Sequence, residues 1–151
     1  MKKLTVLILT VVLCIALVSC TQTENVGVPF ESSEVETVEM FQFIVPADAE
    51  KKVITEQEDI EGICKSLESI SVKDKETESV CGGPVTSFRF NLSDGTAYEI
   101  IYSEAAGKSG RIYFSNSDND YFTSADIGEL WYNYDYEIEK APESELPVLS
   151  K

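Results

Sequence analysis

The clearest helical pattern in the chain lies between residues 55 and 70. Apolar side chains recur there at spacings of three and four residues, which places them along one face of a helix. They are Ile60, Ile63, Cys64, Leu67 and Ile70. Thr55 and Glu58 form a capping-box pattern immediately before this stripe, which is typical of a helix N-terminus. The sequence therefore predicts an amphipathic helix over residues 56–70.

Alternating apolar and polar positions, separated by turn residues, predict strands through the middle of the chain. The predicted strands are 40–45, 71–80, 85–92, 96–102, 111–115 and 120–123. Residues 47–53 either extend the first strand or form a loop. In 85–92 the alternation places Phe88 and Phe90 on the face that we expect to be buried. The sequence Ser93-Asp94-Gly95 predicts a hairpin turn after this strand.

A second helix is predicted near the C-terminal end. Ile127, Leu130, Trp131 and Tyr134 recur with helical spacing, and Thr123 or Ser124 is suited to cap the helix. Helices packed against antiparallel strands define an α+β fold. We therefore expect one α+β domain over residues 40–140, with an antiparallel sheet of about four to six strands and two amphipathic helices.

The N-terminus has the pattern of a secretory signal peptide. Met1-Lys2-Lys3 is basic, and residues 4–18 contain no charged side chain. As a helix this apolar run spans about 22 Å, which is shorter than the roughly 30 Å hydrocarbon core of a bilayer. Residues 1–19 are therefore predicted to be a signal peptide rather than a membrane-spanning helix.

The apolar run ends in Leu17-Val18-Ser19-Cys20, which is similar to the lipobox of bacterial lipoproteins. The resemblance implies that Cys20 receives a diacylglyceryl thioether and becomes the mature N-terminus. Two acyl chains on one residue are enough for stable anchoring. The alternative is an ordinary secreted protein with Cys20 in a disulfide. We expect a protein anchored in the cell membrane by the lipid on Cys20 and facing the extracytoplasmic side.

Polar segments flank the predicted domain on both sides. Residues 21–39 contain five Glu and neither Lys nor Arg, so that 20–39 is interpreted as the lipidated Cys followed by a solvated acidic tether. Docking of a basic partner on this acidic segment is the functional alternative. Residues 141–151 are interpreted as a flexible tail.

Composition excludes several classes of function. The chain has 12 Lys and Arg, 27 Asp and Glu, no His and a net charge of −15. A catalytic triad with histidine and a His-ligated zinc site therefore cannot form. Proteins that bind phosphate backbones need positive patches, so no nucleic-acid partner is expected. The negative charge favours a protein or other partner that is cationic, with association that weakens as salt is added.

Two cysteines remain in the predicted domain, Cys64 and Cys81. An extracytoplasmic compartment permits a disulfide between them, and the alternative is a buried Cys64 together with a free thiol. Asn116, Asp118 and Asp120 match the first ligands of a calcium loop. The positions that require Gly and Glu later in that loop hold other residues. We therefore expect no metal and no cofactor.

Tyr132 and Tyr136 are the candidate interaction residues. They lie four positions apart on the predicted second helix, away from its apolar stripe, and an exposed aromatic pair is typical of a binding patch. A half-buried helix flank explains the same pair. No catalytic residue is identified. We expect a non-catalytic binding or interaction module; the alternatives are a carboxylate-dependent cell-envelope hydrolase and a structural or inhibitory domain that covers a partner.

The order strand, helix, strand meander and helix, behind a lipobox, resembles small surface lipoproteins of Gram-positive bacteria. These proteins carry a single α+β domain and mostly have no assigned activity. The lipobox resemblance covers residues 1–20, and the domain resemblance has no diagnostic motif. It therefore implies a role for Cys20 alone.

Replacement of Cys20 by Ser is expected to release the protein into the medium or to leave it uncleaved, because the acyl chains are its predicted anchor. Cell fractionation with immunoblotting measures both outcomes. The matched control is Cys14→Ser, which alters a residue of the predicted signal peptide and should leave anchoring unchanged. A Cys20→Ser protein that stays in the membrane at mature size would contradict the lipobox interpretation.

Overall fold

The computed structural model describes residues 23–25, 27–74, 82–117 and 119–148. In these ranges the chain forms one antiparallel sheet and one α-helix. In chain order the elements are β1 (Thr23–Asn25), β2 (Val35–Phe43), β3 (Glu50–Ile54), α1 (Gln57–Glu68), β4 (Ser71–Asp74), β5 (Val85–Leu92), β6 (Ala97–Glu104), β7 (Gly110–Phe114), β8 (Tyr121–Thr123) and β9 (Glu139–Lys140). The strand order in the sheet is β1-β4-β8-β7-β6-β5-β2-β3-β9.

The α+β fold is confirmed in broad form, while the predicted numbers of strands and helices are wrong. The described ranges contain nine strands, where about four to six were predicted, and one α-helix, where two were predicted. The outermost strands β1 and β9 have three and two residues. Segments this short carry no measurable alternation, because their pairing is set by the neighbouring strand rather than by their own pattern.

The central strands of the sheet are covered on both faces. We call the side on which α1 packs the helix face; its buried strand residues include Val38, Met40, Ile54, Phe88, Phe90, Ile100 and Ile112. The opposite face carries a smaller apolar cluster of Phe41, Phe43, Val85 and Ile101, closed by Ala49 and Ala141. Antiparallel strands often have one solvated face. The prediction that Phe88 and Phe90 are buried is confirmed, and the other face of β5 is covered as well.

The apolar stripe of α1 is confirmed, but the helix begins one residue later than predicted. Ile60, Ile63, Cys64 and Leu67 are buried against the helix face. The helix begins at Gln57, after Glu56 as the N-cap residue, and no side chain caps it. The predicted capping box is therefore not formed. Tertiary burial of the stripe stabilises this helix, as is usual for helices of this length.

The predicted second α-helix is wrong. Its place is taken by a short 3₁₀ helix, Gly128–Tyr132, in which Leu130 and Trp131 are buried as the spacing predicted. The ammonium group of Lys52, itself buried, donates hydrogen bonds to the carbonyls of Trp131 at 2.9 Å and Tyr134 at 2.8 Å. Lys52 thereby ties this segment to β3. Gly128, at the start of the segment, has a weak helix propensity, which disfavours a longer helix.

Much of the segment predicted to be an N-terminal tether belongs to the folded domain. Strand β2 begins at Val35, and Phe30, Val35 and Val38 are buried in the core of the helix face. The interpretation of residues 21–39 as a solvated tether is therefore wrong for this stretch. Glu residues stand between these buried apolar residues in the sequence. The high average content of acidic residues in 21–39 therefore hid the positions that belong to the core.

The C-terminal segment is also ordered against the sheet, contrary to the predicted tail. Ala141 is buried, and its N–H donates to the carbonyl of Ala49 at 2.9 Å. The carboxylate of Glu145 pairs with Lys51 at 3.0 Å, and its carbonyl accepts from Arg89 at 2.7 Å. The domain therefore extends beyond residue 140 in the part of the chain that the structure describes.

The Lys52 contact gives a direct test of what holds the 3₁₀ segment in place. Lys52→Met should lower the free energy of unfolding by about 2 kcal/mol, because one buried and one partly buried carbonyl lose a charged donor. Urea denaturation followed by the fluorescence of Trp131 measures the change. The matched control is Lys65→Met on the exposed side of α1, where we expect a change within about 0.5 kcal/mol. Equal losses in the two variants would refute the role given to Lys52.

Candidate functional site

A pocket of about 260 Å³ lies between the β6–β7 hairpin and the 3₁₀ segment. We call it the hairpin pocket. Its lining consists of Gln42, Pro84, Thr86, Tyr102, Glu104, Gly107, Lys108, Asp126, Gly128, Glu129 and Tyr132. Four separate parts of the chain supply this lining, so that folding alone assembles it.

The floor of the hairpin pocket is one row of the sheet. Thr86 of β5 lies opposite Gln42 of β2 on one side and opposite Tyr102 of β6 on the other. Thr86 and Tyr102 are almost completely buried. Gly110 of β7 allows this row to pack closely, because a Cβ at that position would lie 2.7 Å from the Tyr102 ring and 2.3 Å from the Ser103 carbonyl oxygen.

The hydroxyl of Tyr102 is the least satisfied group in this pocket. The side chain is 1% exposed, and the hydroxyl has no hydrogen-bond partner within the described ranges. Burial raises the pKa of Tyr102 to about 12, with smaller contributions from the carboxylates of Glu104 and Asp126. The group therefore remains a neutral donor and acceptor beside two acids. Burying such a hydroxyl without a partner costs free energy, and a polar group of a ligand would supply the missing bond.

Lys108 closes one side of the hairpin pocket. Its φ of 68° lies in the left-handed region, which is uncommon for a residue with a side chain. Its Nζ lies 3.1 Å from Oδ2 of Asp126. The hydrogen bond to Asp126 raises the pKa of Lys108, and the charges of Asp126 and Glu129 add to the effect.

The charge of the lining is negative on balance. Glu104, Asp126 and Glu129 contribute carboxylates, whereas Lys108 is the one basic residue among the described lining residues. Tyr132 stands at the rim with 72% of its surface exposed. The pocket thus combines acids, a protonated hydroxyl and an exposed aromatic ring, which suits a ligand group that is cationic and donates hydrogen bonds.

A second cavity, of about 300 Å³, lies beside the β7–β8 hairpin and differs in chemistry. Its described lining includes Tyr98, Asn116, Ser117 and Tyr121. The Tyr98 hydroxyl donates to Oδ1 of Asn116 at 2.9 Å. Since the hydroxyl of Tyr98 is already paired, this cavity lacks the unsatisfied group that distinguishes the hairpin pocket.

The two tyrosines singled out from the sequence do not share a helix face. Tyr132 is at the rim of the hairpin pocket, whereas Tyr136 is half-buried against the core of the helix face. The hydroxyl of Tyr136 donates to Oδ2 of Asp59 at 2.8 Å, at the start of α1. The physical reason is that the 3₁₀ helix ends at Tyr132. Only Tyr132 of this pair lies at the candidate site.

The predicted cysteine roles remain predictions. Cys64 is buried and forms no disulfide with any described residue, and burial raises the pKa of its thiol to about 11. Cys81, its proposed disulfide partner, and the predicted lipidation site Cys20 lie outside the described residues. Cys64 packs in the core, so it contributes no group to the hairpin pocket.

The interrupted calcium pattern has another explanation where the structure describes it. Asp120 pairs with the guanidinium of Arg111, while Asp118 lies outside the described residues. In the described ranges no cluster of three or more Cys, Asp or Glu is arranged to hold a metal ion. Nor does any helix there combine the length and the apolar character needed to cross a bilayer.

The residues of the hairpin pocket were not identified from the sequence, apart from Tyr132. Gln42, Thr86 and Tyr102 are far apart in the chain, and the alternation of each strand marks only which face a residue occupies. No family model, curated protein or solved structure matches this chain. The function proposed for the pocket therefore rests on its own residues and geometry.

The unsatisfied hydroxyl predicts opposite effects for the same substitution at two positions of β6. Tyr102→Phe should raise the free energy of unfolding by about 1 kcal/mol, since it removes a buried group without a partner. Tyr98→Phe, the matched control, should lower it by about 1 kcal/mol because it breaks the bond to Asn116. Urea titrations measure both. Destabilisation of similar size in the two variants would mean that the Tyr102 hydroxyl has a partner in the folded protein.

Proposed function

We propose that this protein is a lipid-anchored, extracytoplasmic and non-catalytic binding module that holds a group of its partner in the hairpin pocket. The observation that carries this proposal is that Tyr102, whose buried hydroxyl has no partner within the described ranges, lines a pocket together with three carboxylates. A hydrogen bond from a ligand would offset the cost of burying that hydroxyl. The anchor follows from the signal peptide and lipobox pattern that ends at Cys20.

The strand that follows the proposed anchor in the sequence and the hairpin pocket lie at different places in the sheet. Thr23, the first residue of β1, is three residues after Cys20, a separation of at most about 11 Å. The edge strand β1 therefore lies near the lipid. The order β1-β4-β8-β7-β6 places Tyr102 four strands away, or about 19 Å at the usual strand spacing. A partner in the extracytoplasmic space would thus reach the pocket away from the anchored edge.

The net charge supports the same arrangement. The full chain carries a net charge of −15, so anionic head groups repel the protein, while the acyl chains hold it at the membrane. The same charge favours encounter with a cationic partner at rates that fall as salt is added.

Photo-crosslinking in intact cells tests the proposal. A benzophenone amino acid at position 132 of the full chain should capture a partner, whereas the same probe at Val148 should not. The two positions are equally exposed, at 72% and 73%. Adding Gly128→Leu should abolish capture from position 132, because the leucine side chain would occupy the pocket next to Thr86. A Cβ at position 128 would lie 3.8 Å from Oγ1 of Thr86 and from Oδ1 of Asp126, which is an ordinary contact distance.

Two results would overturn the proposed function. One is capture of equal efficiency from positions 132 and 148, which would indicate chance encounters with any exposed residue. The other is capture from position 132 that persists with Gly128→Leu, which would separate the partner from the pocket. Circular dichroism of the Gly128→Leu protein checks that its fold is retained.

A further inference from the structure

The hairpin pocket already holds one ammonium group, which belongs to the protein itself. Nζ of Lys108 lies 3.1 Å from the Asp126 carboxylate, and Glu129 lies close enough to add to the attraction. The Lys108 side chain is 73% exposed and reaches the pocket from the tip of the β6–β7 hairpin. The pocket therefore accepts an ammonium at Asp126, while the chain that carries this ammonium is mostly in solvent.

We propose that the partner group bound in the hairpin pocket is a primary ammonium, such as a lysine side chain or an alkylamine, and that it displaces Lys108 from Asp126. This inference rests on the proposed function and specifies its ligand. It goes beyond charge attraction, because it assigns separate roles to Asp126, Tyr102 and Lys108.

The chemistry of the lining favours an ammonium over other cationic groups. An ammonium has three N–H donors and no acceptor. Asp126 accepts one of these bonds, and the hydroxyl of Tyr102, which has no partner among the described residues, offers a second acceptor at the floor. A guanidinium is planar and is best matched by a bidentate carboxylate, whereas Tyr102 offers a single oxygen. The buried position of Tyr102 further favours a compact head on an alkyl stem.

The remaining charged and aromatic groups support the same ligand. Glu104, Asp126 and Glu129 outnumber Lys108 in the described lining, so the pocket keeps excess negative charge after Lys108 pairs. The exposed ring of Tyr132 stands at the rim, where it can cover the alkyl stem or face the cation.

Lys108 acts in this proposal as an internal competitor. An exposed ion pair contributes little net stabilisation, so Lys108 leaves Asp126 for water at small cost when a ligand arrives. Removing its ammonium should therefore strengthen amine binding, and by more than the loss of a positive charge elsewhere on the surface does. If Lys108 did not compete with the ligand, its removal would raise the affinity no more than the loss of a positive charge elsewhere on the surface does.

Titration of the full-length lipidated protein in neutral detergent with n-butylammonium tests the inference. Binding is followed through the fluorescence of Trp131, the single tryptophan of the chain, which adjoins Tyr132. We expect Lys108→Ala to bind at least about threefold more tightly. Asp126→Asn should bind about tenfold more weakly, and Tyr102→Phe about fivefold more weakly, as expected for one charged and one neutral hydrogen bond. Lys65→Ala, on the exposed side of α1, is the matched control for loss of a positive charge.

Tetramethylammonium and n-butanol complete the design. Tetramethylammonium has the charge without N–H donors, and n-butanol has the stem without the charge, so both should bind at least about tenfold more weakly than n-butylammonium. The inference is overturned if tetramethylammonium binds as well as n-butylammonium. It is also overturned if Lys108→Ala tightens binding no more than Lys65→Ala does, or if Asp126→Asn leaves the affinity unchanged.

The crosslinking experiment separates this inference from the proposed function. If capture from position 132 depends on an open pocket but n-butylammonium does not compete with it, the pocket binds a partner through another group and only the ammonium assignment fails. If no capture depends on the pocket, the proposed function itself fails, whatever the amine titration gives.

Discussion

The buried ammonium of Lys52 is the contact on which the candidate site depends. It donates to the carbonyls of Trp131 and Tyr134 and lies 4.7 Å from the centre of the Trp131 ring. A buried charge is costly unless polar groups surround it, and here two carbonyl dipoles and an aromatic face do so. Because Trp131 and Tyr134 flank Tyr132, the same contact fixes the rim of the hairpin pocket. A lysine outside the pocket thus positions the segment that forms one of its walls.

The floor of the pocket is held from both faces of the sheet. On the helix face it continues into the main core, and on the opposite face Arg89 donates to Glu39 at 3.0 Å, to Glu99 at 2.8 Å and to the carbonyl of Glu145. This partly buried network fastens the C-terminal segment across β2, β5 and β6. Against this well-packed floor, the unpaired Tyr102 hydroxyl and the left-handed Lys108 are local conflicts. Such conflicts are expected at functional sites rather than in purely structural regions.

Local patterns in the sequence were sufficient for several elements. Strand 85–92 has the predicted bounds, and the turn after it is confirmed by Gly95, whose φ is +84°. Asp94 stabilises that turn by accepting from the N–H of Thr96 at 2.8 Å. The burial of the stripe in α1 was also predicted correctly. These features depend on neighbours within a few residues, so they can be predicted from the local sequence. Tyr132 is the one residue of the candidate site that this reasoning singled out.

Long-range packing decided which secondary structure each local pattern formed. The stripe at 127–134 correctly marked Ile127, Leu130 and Trp131 as buried, but the segment forms only a short 3₁₀ helix. Lys52, about 80 positions away, binds the carbonyls of Trp131 and Tyr134 and sets the position of this segment. Likewise, Thr86 and Tyr102 meet only because β5 and β6 pair in one register. In the part of the chain that the structure describes, the Tyr102 hydroxyl has no partner there. The sequence by itself determined which side of each segment is apolar, because that follows from local periodicity. Which segments meet, and which polar groups remain unpaired, follows from long-range packing and was decided only by the tertiary structure.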